Sequence, residues 1–158
     1  FVVDRRKISD VYAHVLSNNV DLELLANPNF LTGIDYTQDR VRQLEDVFAE
    51  IDVDTQKKLI DQYIDHVLIS FKYGLFETKF NFLENNGLAS NGSVVLHDFN
   101  EVTLSKKEAK GLVVAQRWQY SYSVRCLHEE VKKYYLRQME DRVTTNELEA
   151  RWLTALSS

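Results

Sequence analysis

The sequence predicts a mainly helical α+β domain in which helices pack around one small β-hairpin. The chain has 5 glycines and 1 proline, so long regular elements should dominate. Apolar residues recur at helical spacing along most of the chain. Between residues 80 and 97 this period gives way to short runs of aromatic and β-branched residues separated by Asn-Gly pairs, which is typical of a hairpin.

The first third of the chain predicts a helix, a helical turn and a second helix. Apolar residues at helical spacing place the first helix at about Ser9 to Asn18. A short helical turn covers Asp21 to Ala26, and Asn27-Pro28-Asn29 stops it. Thr37 is predicted to cap the helix that follows. The apolar stripe of that helix is Val41, Leu44, Val47, Phe48 and Ile51.

The longest predicted helix is capped by Asp54 or Thr55 and runs to about Tyr73, where Gly74 ends it. Its apolar residues recur over more than one face, which is typical of a helix covered on several sides. These core positions are Leu59, Ile60, Tyr63, Ile64, Val67, Leu68 and Phe71.

The predicted hairpin pairs Phe80–Leu83 with Ser93–His97. Asn85-Asn86-Gly87 and Asn91-Gly92 supply the turn residues that tolerate positive φ. Because a lone hairpin is marginal in water, it must lie on the helices.

Three helices are predicted after the hairpin. Ser105-Lys106-Lys107-Glu108 is a capping box that opens a helix towards Gln116. A second helix runs from about Ser123 to Arg142. Thr144-Thr145-Asn146-Glu147 starts the last helix, whose apolar residues are Leu148, Trp152, Ala155 and Leu156.

Composition indicates one globular domain over residues 1–158, large enough for a sizeable core. The net charge of −5 argues against a nucleic-acid binder, since phosphate contacts need a basic face. The sequence contains no apolar run of membrane-spanning length and no signal-peptide pattern, so we expect a protein without membrane contacts. Cys126 has no second cysteine to pair with, which is typical of a reducing compartment, so we expect a cytoplasmic location. Phe1-Val2-Val3 is typical of a strand entered partway, so we expect a piece of a longer protein.

Asn81 and Asp98 are the candidate metal ligands. The predicted hairpin places them at its two ends, and their oxygens are hard ligands that suit Mg²⁺ and a phosphate group. Both residues also have a purely structural interpretation. Asp98 would then form a turn or cap a helix, and the Asn81 side chain would be solvated. Glu77 and Glu101 are further carboxylates nearby, and each is a group that supports a metal ligand, a general base or an ordinary surface charge. His97 is either an acid–base group or structural.

The sequence lacks the motifs of two other kinds of nucleotide site and of serine hydrolases. The sequence has no Gly-x-Gly-x-x-Gly and no Gly-Lys-Ser/Thr, so neither a Rossmann nor a P-loop site is supported. Ser121 and Ser123 have no adjacent His–Asp pattern, which argues against a catalytic triad.

The run from the long helix through Tyr73-Gly74-Leu75-Phe76, Asn81 and the hairpin to Val95-Leu96-His97-Asp98-Phe99 resembles the C-terminal lobe of the protein-kinase-like fold. Within that fold, this run of residues most resembles the bacterial kinase-like group that includes YrbL-type proteins and the aminoglycoside phosphotransferases. The resemblance covers roughly residues 55–104. It implies that Asn81 and Asp98 hold Mg²⁺ bound to ATP, as the catalytic-loop Asn and the Asp of Asp-Phe-Gly do in kinases.

The sequence departs from the kinase pattern at several points. Asp98-Phe99 is followed by Asn100, and five positions before Asn81 stands Phe76 instead of the catalytic Asp. Glu77 is then the candidate catalytic base, with a shift of one residue. The Gly-rich loop and the strand lysine of the N-terminal lobe are absent from this sequence. The resemblance therefore implies phosphotransfer within a longer protein, or Mg²⁺–nucleotide binding by a catalytically inactive relative.

The alternative is a helical protein-interaction module with a purely structural hairpin. Its docking face would be an acidic helical surface, and its ligand a protein partner. The candidate acidic residues are Asp39, Glu45, Asp46 and Glu50.

Overall fold

The computed structural model describes residues 5–30, 36–99 and 101–153, and the side chains of residues 5–8, 30 and 36 lie outside that description. The architecture is α+β and mainly helical, as predicted. The strand expected at Phe1-Val2-Val3 and the apolar residues Ala155 and Leu156 fall outside the described residues.

Helix α3, Val53–Lys72, lies at the centre of the fold. All seven of the predicted core positions on it are buried, because neighbouring elements cover it on several sides. The predicted caps, Asp54 or Thr55, were two or three residues late: the Asp52 side chain accepts from the Thr55 amide at 2.8 Å. Gly74, with φ +68°, follows the last turn, where a left-handed residue commonly ends a helix.

Two C-terminal helices pack directly on α3. The single helix predicted from Ser123 to Arg142 is two helices, because Ser121 caps a short one and Leu127 is extended at ψ 143°. The last predicted helix is confirmed, with Thr144 as its cap. The bounds are α6 Tyr122–Cys126, α7 Glu129–Arg142 and α8 Thr145–Arg151.

The N-terminal part lies against the hairpin and α3. The first helix and the helical turn are confirmed as α1, Arg5–Ser17, and a 3₁₀ turn, Leu22–Leu25. The prediction for Thr37 was wrong, since that residue ends a short strand and the next helix begins only at Leu44. The bounds are β1 Asn29–Phe30, β2 Tyr36–Thr37, β3 Arg42–Gln43 and α2 Leu44–Phe48.

The predicted strand Phe80–Leu83 was wrong. Phe82–Asn85 forms a short helical turn, α4, and the strand that pairs with β6, Val94–Leu96, is β5, Asn86–Leu88. The Phe82 ring stacks between Tyr63 and Tyr135, with centroids 4.9 Å from each, and this packing overrides the strand propensity of the aromatic run. The hairpin therefore exists, but its first strand begins six residues later than predicted.

A second antiparallel pair joins β4, Phe76–Glu77, to β7, Val102–Thr103. Helix α5, Lys106–Val114, follows and is capped by Ser105 as predicted. The capping box predicts that the Glu108 carboxylate accepts from the Ser105 amide. It accepts instead from the Thr103 hydroxyl, at 2.7 Å. A 3₁₀ turn, Arg117–Tyr120, leads from α5 to α6.

Within the described part of the chain, no helix is both long and apolar enough to cross a lipid bilayer.

Candidate functional site

The two antiparallel strand pairs bring two polar segments side by side. The turn segment, residues 77–86, connects β4 to β5, and the Asp98 segment, residues 97–101, connects β6 to β7. Because β4 pairs with β7 and β5 pairs with β6, the two connections leave the paired strands at the same place. Asn100, within the Asp98 segment, lies outside the described residues.

Asn85 joins the two segments. Its carbonyl accepts from the amides of His97, at 3.0 Å, and Asp98, at 3.4 Å. Its side-chain nitrogen donates to Glu77 Oε1 at 2.9 Å and to Glu101 Oε2 at 2.6 Å. One buried amide thus links a carboxylate from each segment.

Glu77, the predicted catalytic base, is buried beneath the turn segment, with 8% of its surface exposed. Its Oε1 accepts from the backbone amides of Lys79, at 3.1 Å, and Asn81, at 3.4 Å, as well as from Asn85. Loss of hydration on burial raises the pKa of Glu77 to about 8, against the opposing effect of these hydrogen bonds. The carboxyl group therefore holds the backbone of the turn segment in place.

Asn81 lies in the turn between two aromatic anchors, Phe80 and Phe82, which are 1% and 0% exposed. The Phe80 ring packs edge-on against Phe76, at 5.2 Å, and Trp118, at 5.6 Å. Phe80 takes a positive φ of 52°, which is a strained conformation for an aromatic residue. The anchors on both sides hold that conformation and fix where the Asn81 side chain lies.

Both polar atoms of the Asn81 side-chain amide form hydrogen bonds within the protein. Its Oδ1 accepts from the Ser123 hydroxyl at 2.7 Å, and its Nδ2 donates to Glu84 at 2.8 Å. Ser123 is fully buried, and its oxygen also accepts from the Leu83 amide at 3.1 Å. Sequence reasoning weighed Ser123 only as a nucleophile and missed this contact, because 42 residues separate it from Asn81.

Asp98 and His97 are half-buried on the second segment. Loss of hydration lowers the pKa of His97, and the nearby Asp98 carboxylate opposes that effect. Glu101 lies beside the turn segment, where its carbonyl accepts from the Thr78 amide at 2.7 Å. The structure therefore places Glu77 and Asn81 in the turn segment and Asp98 in the Asp98 segment, and Asn85 links the two segments. Asn81 lies five residues before β5 and not at the end of the hairpin, where it was predicted.

The sequence pattern predicts Asn85 and Asn86 only as turn residues. Two consecutive asparagines at the junction of a turn and a strand are the signal that could have found them. Asn86 begins β5 and is 1% exposed, and neither polar atom of its side chain has a hydrogen-bond partner among the described residues.

No group of three or more His, Cys, Asp or Glu side chains suited to a metal ion occurs in the described ranges.

Only part of the acidic surface considered as a docking face is helical. Glu45 and Asp46 lie on α2, whereas Asp39 and Glu50 lie outside it. Arg42 pairs with Glu50 at 2.8 Å, and Asp39 accepts a hydrogen bond from the neutral Asn27 side chain at 2.8 Å. The ion pair offsets one of the four negative charges.

A scan against protein-family models gives no match, and no curated protein sequence matches the chain.

Proposed function

We propose that this chain binds a Mg²⁺–nucleotide at the Asp98 segment, in the manner of kinase-like phosphotransferases, and that it does not transfer phosphate. The observation that carries the proposal is the link made by Asn85, whose backbone and side chain tie the turn segment to the Asp98 segment. Kinases hold Mg²⁺ with groups from two such connections, the Asn of the catalytic loop and the Asp of Asp-Phe-Gly.

The corrected strand register supports this arrangement. Since β5 begins at Asn86, the residue five positions before it is Asn81. Kinases have the catalytic Asp five positions before the metal-binding Asn. In this register Asn81 takes the place of the catalytic base. Asn86 takes the place of the metal-binding Asn of kinases, but it is 1% exposed and is not one of the proposed ligands, which are Asp98 and Glu101.

An asparagine at position 81 explains why no turnover is expected. A carboxylate can accept a proton from the attacking hydroxyl, whereas an amide side chain cannot. Glu77 does not replace it, because its carboxyl group is buried and already accepts three hydrogen bonds. Under the proposal Glu77 is a positioning residue.

The donor set suits magnesium bound to phosphate. Mg²⁺ commonly takes one or two carboxylates and completes its shell with phosphate oxygens and water. Asp98 and Glu101, one from each end of the Asp98 segment, would be those carboxylates. Magnesium would neutralise the charge of the phosphates there.

Calorimetric titration with Mg²⁺–ATP tests the proposal. Asp98→Asn should lose about tenfold or more in affinity, since an interaction with a charged group is removed. Asp141→Asn, at an exposed position on α7, is the matched control and should bind like wild type. A phosphate-release assay on the same samples should show no turnover.

Each outcome of these assays is informative. Equal affinity of wild type and Asp98→Asn would remove Asp98 from the site and favour the interaction module. Turnover by the wild-type chain would contradict the assignment of Asn81 to the place of the base.

A further inference from the structure

A cavity of about 20 Å³ lies between α3 and the start of the two strand pairs. Its polar lining comes from His66, Ser70, Glu77 and Asn86, and apolar side chains such as Val67 and Leu96 complete the wall. A cavity needs roughly 10–15 Å³ of this kind of volume to hold one water molecule. The space is therefore sufficient for a single water and too small for an organic ligand.

Three buried polar atoms of residues that line this cavity have no hydrogen-bond partner among the described residues. They are Glu77 Oε2 and both side-chain atoms of Asn86, Oδ1 and Nδ2. Glu77 and Asn86 are 8% and 1% exposed, so bulk water does not satisfy these atoms. Buried polar groups without partners are rare in native proteins, and an ordered water is the usual explanation.

We propose that this cavity is a binding site for one ordered water molecule, which bridges Glu77 Oε2 and the Asn86 side chain. The water completes a path of hydrogen bonds from the backbone of the turn segment, through Glu77, to the first residue of β5. This inference is independent of nucleotide binding.

The other contacts of Glu77 leave one oxygen for the water. Glu77 Oε1 accepts from three N–H groups, whereas Oε2 has no hydrogen-bond partner among the described residues. Oε2 is therefore the oxygen that binds the water, and the Asn86 side chain is the other partner. Burial raises the pKa of Glu77 to about 8, which favours a carboxyl group that can donate to the water.

A high-resolution crystal structure of the full chain tests the proposal directly. We expect one density peak within hydrogen-bonding distance of both Glu77 Oε2 and the Asn86 side chain. Three findings would overturn it: an empty cavity, a direct Glu77–Asn86 hydrogen bond, or a peak with the short, many-oxygen coordination of a sodium ion.

NMR of the ¹⁵N-labelled chain in water gives a second measurement. The Asn86 side-chain amide should show cross-peaks to water of opposite sign in laboratory-frame and rotating-frame Overhauser spectra, which is the signature of a long-lived water. The exposed Asn91 amide is the control and should lack them. The cross-peaks should persist in Glu77→Gln, which removes the exchangeable carboxyl proton but keeps a donor at that place. Their absence in wild type, or their loss in Glu77→Gln, would contradict the proposal.

Discussion

At the scale of single residues, Glu77 determines how the candidate site is held. Three N–H groups from the turn segment converge on one oxygen of a carboxyl group that sequence reasoning had assigned to proton transfer. Its position inside the fold makes its protonation state a matter of stability, and this can be measured apart from any ligand.

The pKa of Glu77 predicts a pH-dependent stability. The folded state raises this pKa from 4.5 to about 8, so the folded chain holds a proton that the unfolded chain has lost across that interval. The free energy of unfolding should therefore fall as pH rises from 4.5 to about 8, by an amount on the order of a few kcal/mol. Denaturant unfolding at about pH 5 and about pH 9 measures it.

Glu77→Gln should remove this part of the pH dependence and be the more stable protein at alkaline pH, because glutamine resembles the protonated acid. Glu140→Gln, at an exposed position, should keep the wild-type pH profile. An unchanged profile in Glu77→Gln would show that Glu77 does not titrate in this interval.

Ser123, which is distant in sequence, is predicted to stabilise the turn segment through its side-chain hydrogen bonds. Ser123→Ala leaves Asn81 Oδ1 and the Leu83 amide without their partner, which should cost about 1–3 kcal/mol of unfolding free energy. The exposed Ser93→Ala is the control and should change stability by less than about 0.5 kcal/mol. Equal stabilities of the two variants would mean that the hydroxyl contributes nothing to the turn.

At the scale of elements, the hairpin depends on close contact between β5 and its other neighbour, β3, together with Val41 directly before β3. A Cβ atom added to Gly87 would meet Val41 Cγ2 at 2.4 Å and the Arg42 carbonyl oxygen at 2.9 Å. Gly87→Ala should therefore lower the free energy of unfolding by about 1–3 kcal/mol, the usual cost of overpacking.

A second glycine gives the opposite expectation. Gly111 lies on α5, and a Cβ there would meet nothing within 4 Å. Gly111→Ala should stabilise the protein by roughly 0.5–1 kcal/mol, since alanine loses less entropy in a helix. Thermal melts of both variants check the pair, and a Gly87→Ala protein as stable as Gly111→Ala would contradict the observed strand register.

Helix α3 is predicted to tolerate charge at one position and not at another. Ile64 is fully buried, so Ile64→Asp should cost about 3–5 kcal/mol or unfold the chain. Ile69 on the same helix is 40% exposed, so Ile69→Asp should remain folded. Circular dichroism with thermal melting compares the two, and a wild-type melt for Ile64→Asp would make α3 peripheral.

At the scale of the whole molecule, local patterns predicted the long helices well. The apolar residues of α3 identify it because their spacing alone fixes a helix that is covered on several sides. Ser105 and Thr144 were found because capping depends on residues only a few positions apart.

The site was harder to predict, since long-range contacts decide it. Phe80 and Phe82 have high strand propensity, yet Tyr63, Trp118 and Tyr135 hold their rings in a tight turn. Because of that packing the hairpin begins at Asn86, and Asn81 lies in the turn before it. No local pattern contains these contacts.

Paramagnetic NMR tests the central claim most directly, because it locates a bound metal–nucleotide on the folded chain. Mn²⁺ replaces Mg²⁺ at sites with oxygen ligands and broadens nearby signals. With Mn²⁺–ADP, we predict selective broadening of the amides of the Asp98 segment and the turn segment, with little effect at Val114, and loss of that pattern in Asp98→Asn. Broadening centred elsewhere, or the same pattern in Asp98→Asn, would contradict a nucleotide site at Asp98.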